Sequence, residues 1–277
     1  MPQRTWFITG ISSGFGRTMA EQLLKAGDRV AGTVRKQGSV ADLVASYGDQ
    51  IWVASLDVTD TAAVRSVVDA AFTALGRIDV VMNNAGFGLF GAAEEVSDEQ
   101  IEQIIATNLT GSIQVVRAAL PHLRAQGGGR IVQLSTVGGQ TAGAGASLYI
   151  ASKWGVEGFA ESLADEVAPF NIGVTIVEPG GARTGFRLRG LQLGTPLAAY
   201  DGTPAAGVRG LQNPAYQEPG DPERMAALMI ASVNQEPAPR RLVLGHSAYL
   251  AIRAALTDRL ADVEPQEAQA ASADFPA

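Results

Sequence analysis

The amino-acid sequence predicts an α/β fold: a Rossmann-type, doubly wound, seven-stranded and mostly parallel sheet with helices on both faces, in a single domain. Three observations carry this expectation. Short, nearly continuous apolar runs alternate with helix-period segments almost from end to end, as strands buried on both faces of a parallel sheet require. The first run leads into a glycine-rich turn, Thr9-Gly10-Ile11-Ser12-Ser13-Gly14-Phe15-Gly16, and a helix pattern follows. The 277 residues, 46% of them hydrophobic, suffice for one sizeable core.

Taken in order, the strands are expected at 4–9, 29–34, 51–55, 78–82, 130–134, 172–177 and 242–244. Helices are expected at 14–26, 38–46, 61–75, 98–124, 149–169, 222–234 and 247–260. Asp60 is a good N-cap for the third helix, and Ser97-Asp98-Glu99-Gln100 opens the fourth with a capping box. The stretch 185–220 breaks the alternation with many Gly and Pro residues, and a loop this long reads as a substrate lid. It is largely apolar, with Leu188, Leu191, Leu193, Leu197, Tyr200 and Tyr216, and it also holds Arg187, Arg189 and Arg209. The domain is expected to span 1–260. Residues 261–277 carry four acids and no base, and read as an acidic, flexible tail.

A net charge of −7 argues against nucleic acid as a partner. With no cysteine there is no disulfide framework and no thiolate metal site. His122 and His246 lie far apart, so no metal site is expected. No apolar run reaches the ~18 residues that a membrane span needs, and the first is too short for a secretory signal. A cytoplasmic address is the default.

Glycine in the first turn lets backbone N–H groups approach a pyrophosphate at the positive end of a helix. The spacing is G-x-x-x-G-x-G, and a bare glycine triplet is weak evidence until its place after the first strand is counted. A site for NAD offers an acid about 20 residues on, to hold the ribose 2′-hydroxyl. Between Asp28 and Asp42 this chain has none; it has Thr33, Arg35 and Lys36. On its own the basic pair is as consistent with a solvated turn as with a 2′-phosphate site. Together with the glycine turn it favours NADP (NADPH) over NAD.

Tyr149 and Lys153 are four residues apart at the start of a helix, on one face. An ammonium beside a phenol stabilises the phenolate, so Lys153 is expected to lower the Tyr149 pKa and make it a general acid/base. A chance Tyr-x-x-x-Lys is expected about 0.05 times by composition, which makes the pair more than decoration.

With Gly10, Gly14 and Gly16, the Asn83-Asn84-Ala85-Gly86 turn and Tyr149/Lys153 in order, the sequence resembles the short-chain dehydrogenase/reductase family over residues 4–260, in its compact single-domain branch. That resemblance implies an oxidoreductase that moves a hydride between a nicotinamide dinucleotide and a carbonyl carbon. It implies that Ser12, Ser13 and Phe15 join the phosphate turn. Asp57 would hold the adenine amino group, with Val58 beside it. Asn83, Ala85 and Gly86 would pack under the adenosine, and Pro179, Gly180 and Thr184 would position the nicotinamide. Asn108 would hold a water that passes protons to Lys153. A Ser is usual 13 residues before the Tyr; here that position is Thr136, with Ser135 adjacent and expected on the opposite face. The family's habit implies a homodimer or homotetramer through helices 98–124 and 149–169. A bulky hydrophobic ketone or secondary alcohol is the expected substrate. Two rival readings use the same fold: a non-catalytic NADP-binding redox sensor, and an epimerase or dehydratase that recycles its cofactor.

Overall fold

The computed structural model describes residues 3–213 and 217–275. Its strands, in chain order, are β1 (Thr5–Ile8), β2 (Arg29–Val34), β3 (Ile51–Ser55), β4 (Val80–Asn83), β5 (Gly88–Phe90), β6 (Gly129–Leu134), β7 (Ile172–Pro179), β8 (Leu191–Leu193) and β9 (Arg241–Leu244). The α-helices are α1 (Gly14–Lys25), α2 (Ala41–Tyr47), α3 (Thr61–Leu75), α4 (Asp98–Ile104), α5 (Ser112–Ala125), α6 (Ser147–Val167), α7 (Phe186–Arg189), α8 (Pro222–Ser232), α9 (His246–Val263) and α10 (Glu267–Ala271). Seven strands form one sheet in the order β3-β2-β1-β4-β6-β7-β9. Every pairing in it is parallel, so the expected mostly parallel sheet is wholly so.

Side-chain alternation along each strand feeds two cores. Trp6 and Ile8 face one layer, with Met19 and Leu23 of α1, Leu43 of α2 and Met229 of α8. Phe7 faces the other, with Val64 and Val68 of α3, Val115 of α5 and Leu163 of α6. Burying one such side chain contributes roughly 1.5–3 kcal/mol, so these layers hold the helices in place more than their intrinsic propensity does. The expected caps are present. Asp60 accepts from Ala62 N and Ala63 N, both at 3.0 Å, and Ser97 and Gln100 close a capping box.

Three features differ from the expectation. The helix read as 98–124 is interrupted at Ile105–Gly111 by π-helical turns, which swell the coil and turn Asn108 inward. Gly111 there lies against the loop after β3, where a Cβ would come 2.9 Å from the Val58 carbonyl oxygen. Second, the 185–220 segment is pinned by a two-stranded parallel ribbon, β5 with β8, in the register Gly88 to Leu191. Three-residue strands are too short to show a period. Third, α9 runs on to Val263, and 264–271 is helical and exposed. No helix among the described residues is long and apolar enough to cross a membrane.

Chain order reverses between β1 and β4, and ligands on such sheets bind beyond the carboxyl ends of the strands at that switch. Thr9, Arg35, Asn84, Thr136 and Gly180 all sit at or just past those ends.

Candidate active site

A cleft of about 640 Å³ opens along this edge. Of the residues singled out from the sequence, Gly10, Ser12, Ser13, Gly14, Phe15, Arg35, Asp57, Val58, Ala85, Gly86, Thr136, Tyr149, Lys153, Pro179, Gly180 and Thr184 line it. Gly16, Lys36, Asn83 and Asn108 do not.

The phosphate turn is built from backbone. Gly10 and Gly14 have φ of +76° and +59°, a region that side chains disfavour. Gly10 N and Ile11 N donate to the Thr33 carbonyl at 3.0 Å, tying the turn to β2. Asn84 Nδ2 donates to the carbonyls of Thr9 (2.8 Å) and Gly10 (3.1 Å). Gly16 is packed beneath the turn: a Cβ there would lie 2.5 Å from the Gly10 carbonyl oxygen. Ser13 is the N-cap of α1, yet its side chain accepts nothing from the first turn. A cradle with open helix N–H groups and no side chain in the way fits a dinucleotide pyrophosphate.

Next to it, Arg35 lines the cleft, and among the described residues neither Arg35 nor Lys36 joins an ion pair. Arg17, by contrast, is engaged by Glu21 and Asp42. Asp57 Oδ1 accepts from Thr59 N (3.0 Å) and Thr59 Oγ1 (2.8 Å). Those bonds, with the Arg35 charge behind them, hold the Asp57 carboxyl below the usual carboxylate range. Asn83 is buried and turned away, its Nδ2 donating to Ser112 O and Gln133 Oε1 at 3.0 Å. Its neighbour Asn84, in the same Asn83-Asn84-Ala85-Gly86 turn, is the Asn that faces the cleft.

At the other end Tyr149, Lys153 and Thr136 converge. The Thr136 hydroxyl lies beside the Tyr149 phenol in the cleft and donates to Pro179 O at 3.3 Å. Lys153 is buried, and its Nζ donates to the Leu134 carbonyl at 2.9 Å. Burial pushes the Tyr149 phenol up to about 12, the Thr136 bond only partly offsetting it. Without a dinucleotide beside it the phenol thus lies above its usual value rather than below it as expected, because desolvation of the phenolate is the largest influence. Burial draws Lys153 down to about 8, against the pull of Glu157.

Asn108, 1% exposed, spends its amide on neighbours: Oδ1 accepts from Phe87 N (3.0 Å), and Nδ2 donates to Phe87 O (2.9 Å) and Ser152 Oγ (3.1 Å). Its side chain thus fixes the turn after β4 against α6. Ser135 points to the opposite side from Thr136, its hydroxyl 2.5 Å from Glu157 Oε1.

The apolar wall differs from the one expected. Leu188 is 67% exposed. Phe90 and Phe186 instead flank the Tyr149 ring, with centroids 5.3 and 6.3 Å away, and Leu191 and Leu211 line the same space. Arg187 meets Glu218 at 3.8 Å and the Leu211 carbonyl, whereas Arg189 lies exposed at the cleft. Tyr216 lies outside the described residues. His122 pairs with Asp69 at 2.6 Å and stacks on Phe72, and no metal-ligand cluster occurs among the described residues.

Comparison with known proteins places this geometry. The short chain dehydrogenase family profile matches residues 4–189, and the chain belongs to that family. A solved short-chain dehydrogenase from Streptomyces avermitilis superposes with a TM-score of 0.91 at 38% identity, covering 99% of this chain and 100% of that one. A 3-ketodihydrosphingosine reductase of Bacteroides thetaiotaomicron is 40% identical over 183 residues, 65% of this chain and 64% of that protein. A short-chain dehydrogenase/reductase from Burkholderia phymatum, solved in complex with NAD, has a TM-score of 0.81 at 25% identity over 95% of each chain.

Proposed function

We propose that this short-chain dehydrogenase interconverts a bulky, mostly apolar ketone and its secondary alcohol, with NADP(H) as cofactor. The observation that carries the reading is the convergence of Tyr149, Lys153 and Thr136 at one end of a cleft whose other end is a glycine cradle. Gly10, Ser12, Ser13, Gly14 and Phe15 would hold the pyrophosphate, with Gly16 supporting the turn from beneath. Asp57, Val58, Ala85 and Gly86 would hold the adenosine, and Pro179, Gly180 and Thr184 the nicotinamide. When bound, the dinucleotide supplies or takes up the hydride.

The chain's own residues handle the proton. A phenol at about 12 is protonated at neutral pH, so Tyr149 stands ready as the acid for a ketone oxygen. The Thr136 hydroxyl, beside it, orients that oxygen. Lys153, at about 8, is an ammonium below that pH and stabilises the phenolate left after the proton is given up. Phe90 and Phe186 present apolar rings to the same space, which would limit water beside the phenol when substrate is bound. The aromatic wall and the likeness to a 3-ketodihydrosphingosine reductase support an extended apolar ketone.

The preference for NADP rests on Arg35 and the acid-free second strand, since the Burkholderia relative's fold holds NAD. Fluorescence titration with both nucleotides tests it, and tighter NADH binding overturns it. The reaction is tested by nucleotide consumption over ketones of graded apolar size, with Tyr149→Phe expected to lower turnover by roughly 10²- to 10⁴-fold. Undiminished turnover in Tyr149→Phe sinks the catalytic assignment. Tight NADPH binding with no turnover of any ketone favours the sensor instead. The outer faces of α5 and α6 are expected to carry a dimer or tetramer contact, which light scattering reads.

A further inference from the structure

Beneath the catalytic residues lies a buried charge cluster that the reaction just described does not use. Glu157 on α6 and Glu178 on β7 are 3% and 0% exposed. Arg241 of β9 reaches both carboxylates, and its other terminal nitrogen meets the half-exposed Glu161 at 3.1 Å. Glu157 also accepts from Ser135 Oγ at 2.5 Å and from Gln140 Nε2, while Glu178 Oε2 has no partner. Further out, Arg240 pairs with Asp165 at 2.6 Å. Gly139 makes room for the cluster, because a Cβ there would collide with Glu157 Oε1.

A buried cluster of this kind is weak evidence of a purely stabilising role. Desolvating two carboxylates and a guanidinium costs several kcal/mol per ion, and a well-packed apolar replacement is often as stable. Its placement is the informative part. Tyr149, Lys153 and Glu157 stand one turn apart on α6, and three successive residues at the end of β6 answer them. Thr136 meets Tyr149, the Leu134 carbonyl takes Lys153 Nζ, and Ser135 takes Glu157. Pulling Glu157 away would let Ser135, and with it Thr136, shift against the helix that carries the pair. Lys153 and Glu157 are also i,i+4 neighbours in a water-poor setting, where an opposite charge acts far more strongly than at the surface.

We propose that Glu157 is a positioning residue for the catalytic pair: its carboxylate, shared among Ser135, Gln140 and Arg241, fixes the strand end that carries Thr136 and keeps Lys153 an ammonium. The proposal rests on the reading of Tyr149 and Lys153 given above. Its charge half agrees with the balance at Lys153, where burial favours the neutral amine and Glu157 is the opposing influence. Four charged groups meet Glu157 or its partners from the packed elements: Lys153 and Glu161 on α6, Glu178 on β7 and Arg241 on β9.

The chain has three lysines, Lys25, Lys36 and Lys153, so [¹³Cε]-lysine NMR can follow each ionisation without any turnover. Glu157→Gln keeps the shape and removes the charge. It is expected to lower the Lys153 midpoint by roughly half a pH unit or more, leaving Lys25 and Lys36 unmoved. The alkaline limb of kcat/KM for ketone reduction should move to lower pH by the same amount, and Glu166→Gln, exposed further along α6, should move neither. A folded Glu157→Gln protein with the wild-type Lys153 midpoint overturns the proposal. Should Glu157→Gln fail to fold, Glu157→Asp decides, keeping the charge on a shorter stem. It should retain the Lys153 midpoint and lose kcat by roughly tenfold with nucleotide KM unchanged, as loosened Thr136 geometry requires. Wild-type kcat in Glu157→Asp overturns the positioning role. Because the NMR midpoint needs no activity, it can fail while Tyr149→Phe still abolishes turnover, and the reverse holds too.

Discussion

Along the nucleotide half of the cleft the walls are backbone; along the lid half they are held by side-chain charge. In the first, Gly10, Gly14 and Gly16 let main-chain atoms of β1, β2 and the β4 turn approach within hydrogen-bonding distance, and Asn84 ties them. In the second, beyond the short β5–β8 ribbon, one buried carboxylate fastens the stretch that follows Leu193. Glu95 accepts from Leu197 N at 2.9 Å and pairs with Arg209 at 2.5 Å, while its own carbonyl takes Thr195 N at 2.7 Å. A backbone wall is rigid and cannot adapt to a new ligand. A wall latched by side chains can be re-cut by changing a few residues, which suits a shared cofactor and a variable substrate.

The strongest way to break this comparison is to add one methyl to the rigid side. Gly16→Ala puts a Cβ 2.5 Å from the Gly10 carbonyl oxygen, with only backbone and the Asn84 amide to give way. Overpacking of this kind costs about 1–3 kcal/mol. The turn it displaces is the one proposed to hold the pyrophosphate, so affinity should fall roughly tenfold or more, each tenfold being about 1.4 kcal/mol. Calorimetric titration with NADPH measures it. Unchanged affinity would mean the cradle is softer than its contacts imply.

The two halves also differ in what could be read before the structure. Glycine turns, strand ends and an i,i+4 pair are local in sequence, so the cradle, Tyr149/Lys153 and the seven strands were legible. Asn83 and Asn84 were not separable, because which of two adjacent residues faces the cleft depends on where β4 ends, and it ends at Asn83, one residue later than expected. The Glu95–Arg209 latch joins residues 114 apart, and Arg241 is 84 from Glu157, distances at which no single-sequence period operates. An acid four residues after Lys153 was the one local signal for the buried cluster. Such an acid is common on helix surfaces, and the room that Gly139 leaves for it comes from a residue 18 positions away.

A smaller and more selective effect is expected on the lid side. Glu95→Gln should loosen residues 194–210, raising substrate KM roughly tenfold while nucleotide affinity stays the same. Hydrogen exchange over 194–210 reads the first and titration the second. The bonds from Leu197, Arg209 and Ala92 hold the Glu95 carboxyl down at about 2 from its usual 4.5. A depressed acid stabilises the fold above its unfolded value and loses that contribution only as pH falls through the folded one. The latch should therefore be flat across neutral pH and open only in strong acid. A lid that loosens near neutral pH would show that something other than Glu95 holds it.

The boundary between the halves, at Ser135 and Thr136, is sharpened by a set of variants that ends on the smallest effect, Thr136→Ser. The Thr136 hydroxyl faces Tyr149 while Ser135 is committed to Glu157, so neither can do the other's work without a strand slip. Thr136→Ala should lose most of the turnover, whereas Ser135→Ala, which leaves the Glu157 charge and the Gln140 and Arg241 contacts in place, should lose clearly less. Thr136→Ser keeps the donor and removes only a methyl, whose carbon lies where it would sit 3.3 Å from a Cβ on Gly138. Turnover in that variant should stay within roughly threefold of wild type, since the hydroxyl chemistry is the same and only χ1 stiffness is lost. A larger drop for Ser135→Ala than for Thr136→Ala would mean that the hydroxyl beside Tyr149 is not the one that meets the substrate oxygen. The seam between rigid and latched halves would then run one residue earlier.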